Sequence, residues 1–182
     1  MELVPIFAGN PPELEQVPVL APFRTGPLLL KLVKYLKYSG GRSAASGLSW
    51  WMAQKLICSC NTVNKKITLV PVPLHRSRRR RRGYNQAELV ARGVSELTGL
   101  GVRTDLIARV RKTRSQAKLP PKGRKQNVAG AFRASGEAGG TGFILVDDIV
   151  TTGETAGECL GVLKDAGASP MAVLAAGTSL GD

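Results

Sequence analysis

The residues Asp147-Asp148-Ile149-Val150-Thr151-Thr152-Gly153-Glu154-Thr155 set two carboxylates just ahead of a turn built from threonine and glycine. In such a turn successive backbone N–H groups and threonine hydroxyls converge on one point. A helix starting there adds the positive end of its dipole, and the sum is a cradle for phosphate. Gly153 permits a backbone turn that a β-carbon would hinder. Carboxylates accept hydrogen bonds from hydroxyls, so Asp147 and Asp148 suit a ribose while the turn suits its 5′-phosphate. An acidic pair after a strand is also an ordinary turn. What narrows the reading is the whole pattern of apolar run, acids and Thr-Gly turn.

A second stretch, VPVPLHRSRRRRRGYNQAE (Val70–Glu88), carries five consecutive arginines, Arg78–Arg82. The run suits a polyanion and also has the form of a nuclear targeting signal, but its place between a strand and a helix speaks against targeting. Five adjacent arginines cannot all face one anionic group; one or two are expected in a site and the others toward solvent or a polyanion. A third stretch, RKTRSQAKLPPKGRKQNVAG (Arg111–Gly130), is polar, basic and interrupted by Pro120-Pro121 and Gly123. Long segments of this kind inside a compact domain are functional or disordered.

The elements that must hold these groups follow from periodicity. Residues 1–25, with Pro5, Pro11, Pro12, Pro18 and Pro22, read as an irregular arm. Leu28, Leu29, Leu32, Val33 and Leu36 share one helical face, with Lys31, Lys34 and Lys37 on another. A second helix opens near Ser43, with Ala44, Leu48, Trp51 and Met52 turned inward; the Trp50-Trp51 pair reads as core packing. Ile67–Val72 is a strand, the arginines a loop, and Asn85 the cap of a helix that Gly99 ends, with Glu88 as capping-box partner. Gly142–Val146 is apolar without alternation, as in a strand buried on both faces. Thr155–Ala166 reads as a helix and Met171–Ala176 as a last buried strand. Strands alternating with helices predict an α/β fold with a mainly parallel sheet, which binds ligands beyond the carboxyl ends of its strands.

Composition sets the outer limits. The chain of 182 residues is long enough for one domain with a small appended lobe. Twenty-six Lys and Arg against thirteen Asp and Glu give a formal charge of +13, a surface for polyanions. Aromatic residues make up 5%, which argues against a base-stacking groove for a single strand. Three cysteines, Cys58, Cys60 and Cys159, form no disulfide framework and suit a reducing cytoplasm. With His75 the only histidine, no protein metal site is expected. No membrane span and no secretion signal are read.

The segment FILVDDIVTTGET (Phe143–Thr155) resembles the phosphoribosyl pyrophosphate (PRPP) loop of type I phosphoribosyltransferases. With VPVPLHRSRRRRRGYNQAE, RVRKTRSQAKL and GRKQNVAGAF in this order, the chain resembles the ComF family of competence-related phosphoribosyltransferases from about Pro22 to Ala176. The family's usual N-terminal zinc module is not read in this sequence, and Cys58-Ser-Cys60 is not expected to replace it. The resemblance implies a type I phosphoribosyltransferase fold. It divides the chain into an arm (1–25) and a catalytic domain (26–182), with a helical hood at 26–62 and a flexible loop region at 102–134. It assigns PRPP to Val146, Asp147, Asp148, Thr151, Thr152, Gly153, Glu154 and Thr155, with both aspartates catalytic. It places Val72, Pro73, Leu74, Arg76 and Arg82 at the pyrophosphate, and Lys112, Thr113, Gln116, Arg124 and Asn127 in the closing loop. Mg2+ would arrive chelated by PRPP. A nitrogen acceptor, of unknown identity, is expected against the N-terminal helices and near Ala176–Thr178; Thr151, standing where purine-salvage enzymes carry an acid, argues against ordinary purine salvage. Three readings stay open: an active transferase, a non-catalytic PRPP-sensing and nucleic-acid-binding competence protein, or a cytoplasmic enzyme without a link to DNA. Single-stranded DNA or another polyanion is a candidate partner of the basic surface, and a homodimer a candidate assembly.

Overall fold

The structure is a computed structural model that describes residues 11–38, 42–59, 67–113, 121–135 and 138–180. In chain order the elements are α1 (Pro12–Glu15), β1 (Val19–Leu20), β2 (Phe23–Arg24), α2 (Pro27–Tyr38), α3 (Arg42–Ser59), β3 (Ile67–Pro71), α4 (Arg76–Arg82) and α5 (Gln86–Thr98). They continue with β4 (Gly101–Val102), β5 (Ile107–Arg109), α6 (Pro121–Val128), β6 (Phe132–Ala134), β7 (Gly142–Val150), α7 (Glu154–Asp165) and β8 (Ser169–Thr178). The main sheet runs β1-β8-β7-β3-β4, with β2 also on β8, and all its pairings are parallel. β5 and β6 form a separate antiparallel pair.

Helices cover both faces of the sheet, and the strand period of two sorts the core accordingly. Phe143 and Leu145 of β7 and Val173 and Ala175 of β8 pack with Leu14 and with Cys159, Leu160 and Leu163 of α7. Their neighbours Ile144, Val146, Leu174 and Ala176 pack on the other side with Leu29, Val33 and Leu36 of α2, Leu48, Met52 and Leu56 of α3, and Val90 and Val94 of α5. Burial on both faces explains why the β7 run carries no alternation. The architecture is α/β with a mainly parallel central sheet flanked by helices, consistent with a type I phosphoribosyltransferase-like fold.

Several local expectations need correction. The proline-rich arm is not wholly irregular. Val19 and Leu20 pair with Val173 and Leu174, and Phe23 and Arg24 with Gly177 and Thr178, because β8 has an open edge there. On α2 only Leu29, Val33 and Leu36 are buried; Leu28 is 81% exposed, and Leu32 lies on the exposed side. On α3 the inward stripe is Ala45, Leu48, Met52 and Leu56, which leaves Trp50 and Trp51 half exposed. Trp51 packs edge-on against Trp50 and against Phe23 rather than into the core. Asn85 caps α5 through Ala87 N–H, and Gly99 ends it at φ 75°, but Glu88 does not close a capping box: it pairs with Arg79 and Arg92. Within 102–134, the strand-like run read at Leu106–Val110 is β5, while the polar stretch after it also holds α6 and β6, with Pro121 at the first position of α6, where its missing N–H costs nothing.

Candidate functional site

The carboxyl ends of β3 and β7 open into a cleft of about 1210 Å3. Seven cationic side chains line it, Lys34, Lys37, Arg78, Arg81, Arg82, Arg109 and Lys112, against three acids, Asp147, Asp148 and Glu154. Among the described residues Lys37 alone of the seven is ion-paired. Unneutralised positive charge in a concave, half-desolvated space attracts anions.

The acidic pair sits where β7 outlasts its neighbour. Pairing with β3 ends at Pro71 opposite Val146, and Val72 N–H reaches Val146 C=O at 2.9 Å, whereas pairing with β8 runs on to Val150. β7 therefore does not stop at the acids. As consecutive residues of an extended strand they project to opposite faces of the sheet. Asp148 is buried beneath α2 and α5: its Oδ2 takes Lys37 Nζ of α2 at 2.5 Å and Gln86 Nε2 of α5 at 3.3 Å. Asp147 turns toward Arg109 and Cys159 on the α7 side, and its Oδ1 takes the Asp148 N–H at 2.8 Å. Burial, and then the charge of Asp148, push the Asp147 carboxyl up to about 7. Burial also pushes the Cys159 thiol well above its ordinary range, which leaves it unreactive.

The turn after β7 is held by its glycine. Gly153 caps α7 at φ 74°, in the left-handed region. A β-carbon there would lie 2.4 Å from Leu14 Cδ2. The same helix carries Gly157 and Gly161 one and two turns on, where β-carbons would meet Pro11 at 2.6 Å and Glu13 at 3.4 Å. α1 thus lies along a glycine stripe and buttresses the turn from outside. Thr151, Thr152, Glu154 and Thr155 face the cleft. Burial raises the Glu154 carboxyl above its usual range.

The arginine run is a helix, not a loop. Arginine has good helix propensity, and the mutual repulsion of five like charges is offset by contacts at both ends. His75 Nδ1 caps it through Ser77 N–H at 3.3 Å, and Gly83 closes it at φ 84°. The helical period then sorts the arginines. Arg78, Arg81 and Arg82 face the cleft; Arg76, Arg79 and Arg80 face out. Arg82 bonds Gln86 Oε1 and stacks over the Tyr38 ring at 5.2 Å. The chain Arg82–Gln86–Asp148–Lys37 therefore ties α4, α5, β7 and α2 into one polar network. On the other side Arg78 reaches Thr113 C=O at 2.5 Å and Arg109 bonds the Thr113 hydroxyl while lying 5.0 Å over Phe132. Arg109 Nε is buried with no hydrogen-bond partner among the described residues. Desolvation lowers the pKa of both guanidiniums; next in order, Arg82 lowers that of Arg78 and Arg78 lowers that of Arg109. Two desolvated guanidiniums, neither in an ion pair among the described residues, are a seat for an anion.

Of the residues assigned from sequence, the cleft brings together Val72, Pro73, Leu74, Arg82, Lys112, Asp147, Asp148, Thr151, Thr152, Gly153, Glu154 and Thr155. It does not include Arg76, which the helix turns outward, or Val146, which is buried in the core. Thr113 is buried and anchors the two arginines rather than lining the space. Asn127 lies off the cleft, its carbonyl accepting from Arg111 at 3.2 Å. Gln116 and the side chain of Arg124 lie outside the described residues. Ala176–Thr178 do not reach the cleft either: Gly177 is covered by Leu29, whose Cδ2 would lie 2.2 Å from a β-carbon, and Thr178 is paired with Arg24. Sequence reasoning missed Arg78 and Arg81, which a helical wheel drawn through the run would have found. It also missed Arg109, Lys37 and Gln86, which no spacing rule flags.

No protein-family model matches the chain. It is 31% identical over 166 residues to the DNA utilization protein YhgH of Escherichia coli (strain K12), covering 90% of this chain and 72% of that protein. To the protein of the same name in Salmonella typhimurium it is 33% identical over 151 residues, 82% of this chain and 66% of that protein's length. It is similar also to competence protein F of Haemophilus influenzae, 35% identical over 108 residues, 58% of this chain and 47% of that one.

Proposed function

The chain belongs to the ComF family, and from that premise we propose that it is a PRPP-binding phosphoribosyltransferase that serves competence or DNA use. The observation that carries this is the convergence, in one cleft, of the acidic pair of β7, the Thr-Gly turn into α7 and the cationic face of α4. The backbone and hydroxyls of Thr151–Thr155 hold the 5′-phosphate. Asp147 and Asp148 accept from the ribose hydroxyls and offset the cationic sugar that develops as the bond to diphosphate loosens. Val72–Leu74 with Arg78, Arg109 and Lys112 hold the diphosphate. A nitrogen lone pair forms the new bond to C1, the C1–O bond breaks, and pyrophosphate leaves with the electron pair and takes up the proton the nitrogen sheds. No cluster of three or more metal-ligating side chains gathers among the described residues, so Mg2+ would be carried by the oxygens of PRPP itself, beside the acids of the cleft. When bound with PRPP, Mg2+ supplies charge neutralisation on the leaving diphosphate.

The test is thermal stability with PRPP and Mg2+, on the wild type and on Asp147→Asn/Asp148→Asn. A ligand at about a hundred times its Kd adds roughly 2.7 kcal/mol, several degrees for a chain of this length. A Mg2+-dependent rise that is absent from the double variant is expected; no rise in the wild type sinks the reading. A second reading has its own observation. The outward face of α4 and its surroundings, Arg76, Arg79 and Arg80, stays exposed beside the cleft, and relatives are named for DNA utilization. In that reading PRPP binds without turnover and single-stranded DNA binds outside in a salt-dependent way. PRPP stabilisation without pyrophosphate release under any acceptor, together with DNA binding lost at high salt, would favour it.

A further inference from the structure

One wall of the cleft is not used by the groups that hold phosphate, diphosphate or ribose. It is the inner face of α2, where Leu30, Val33, Lys34, Lys37 and Tyr38 recur at helical spacing, met from below by Thr25 and Ile149. This wall has an apolar surface. Leu30 remains 50% exposed into the cleft beside buried Val33. It also has no acid: the α2 sequence, PLLLKLVKYLKY, holds neither Asp nor Glu. α2 itself thus offers a ring N–H or an exocyclic amine no carboxylate to accept from it, and the nearest acid, Asp148, is already paired with Lys37. The two lysines of the wall are not equivalent. Lys37 is spent on Asp148 at 2.5 Å. Lys34 lines the same cleft with no hydrogen bond or ion pair among the described residues. Finally, the Thr25 hydroxyl is closed off from water and lacks a partner among the described residues. A polar atom left so is costly unless a bound molecule completes it.

We infer that the acceptor is a flat nitrogen compound carrying a negative charge, a ring or arylamine with a carboxylate or phosphate substituent. Its ring lies between Leu30 and Ile149, its anionic group is read by Lys34, and Thr25 supplies a hydrogen bond. The inference rests on the phosphoribosyl-transfer reading and adds to it the chemical class of the second substrate. A neutral nucleobase would bury its polar edge against apolar side chains and leave Lys34 unanswered. An anionic substituent gains a charge-assisted contact instead.

Matched pairs that differ only in charge test this on PRPP- and Mg2+-loaded protein. Suitable pairs are uracil-6-carboxylate against uracil, pyridine-3-carboxylate against pyridine-3-carboxamide, and 2-aminobenzoate against 2-aminobenzamide. Pyrophosphate release and Kd are both read. The acid of at least one pair should outperform its neutral partner by about tenfold, the scale of one partly desolvated charge-assisted contact. That advantage should disappear in Lys34→Ala and return in Lys34→Arg. A preference for the neutral member, no discrimination in any pair, or an acid preference that survives Lys34→Ala overturns the inference. Stabilisation by PRPP alone separates the two levels. If it is present while the acid preference is absent, only the acceptor class falls; if PRPP itself gives none, the phosphoribosyl reading falls with it.

Discussion

The two walls that meet beneath the cleft hold anions by different means. The turn between β7 and α7 is built from backbone. Its fit depends on Gly153 at φ 74° and on the close seat of Leu14 behind it. The helix α4 is built from side chains, with three arginines inward and the remainder outward. A backbone cradle is rigid and intolerant of one extra atom, yet indifferent to most side chains upon it. A side-chain wall spreads its work over several cations, so each change removes a share. The first wall suits a group that must sit in one place, such as a phosphate anchor. The second suits a group that departs.

Three experiments would break or sharpen that contrast. The largest effect is expected at Gly153→Ala. A residue with a β-carbon forced into the left-handed region costs about 1–3 kcal/mol, and here the carbon also meets Leu14. Melting should fall by several degrees and stabilisation by PRPP should vanish. Glu154→Ala, on the same turn, should bind PRPP as the wild type does. Equal tolerance at both positions would show that the turn does not work through its backbone. Next is the sorting of α4. Arg78→Ala should weaken the binding of inorganic pyrophosphate by about tenfold or more, since a hydrogen bond to a charged group is worth roughly 1.5–3 kcal/mol. Arg80→Ala, one helical face away, should change it by less than about twofold. Calorimetric titration distinguishes them, and similar losses at both would mean that the whole run acts as a diffuse charge.

The smallest effect concerns pH. Asp147 holds its proton in the folded chain up to about pH 7, whereas the unfolded chain releases it near the ordinary aspartate value of 3.8. The folded state therefore binds more protons between these values, and this carboxyl makes unliganded stability fall as pH rises from about 4 to 7. Asp147→Asn should flatten that part of the melting profile and raise the melting temperature at pH 8. A profile with the same slope in wild type and variant would place the proton elsewhere.

How much of this was legible in sequence follows the same division. The Thr-Gly turn was readable because backbone geometry leaves its mark in residue type: Gly153, the threonines and the apolar run before them. Asn85 and Gly99 marked the ends of α5 for the same reason. α4 was not readable as a helix, because five arginines in isolation repel one another. What fixes the helix are contacts outside the run, Thr113 and Tyr38 far off in sequence and Gln86 four residues past Arg82. The divergence of Asp147 and Asp148 was hidden as well. It depends on β7 running four residues past its last pairing with β3, and only the register against β8 reveals that. The outward tryptophans follow from which stripe of α3 the sheet and α5 happen to need.

The brevity of the outermost strands has a bearing beyond binding. β7 and β8, nine and ten residues long, lie inside the sheet, while its borders among the described residues are β4 and the separate pieces β1 and β2, of two residues each. Pro18 and Pro22 bracket β1 and remove N–H donors on either side of it. A border so short and so broken gives a neighbouring molecule almost no ladder to extend. A concentrated solution of this strongly basic chain is thereby guarded against edge-to-edge aggregation by geometry as well as by charge.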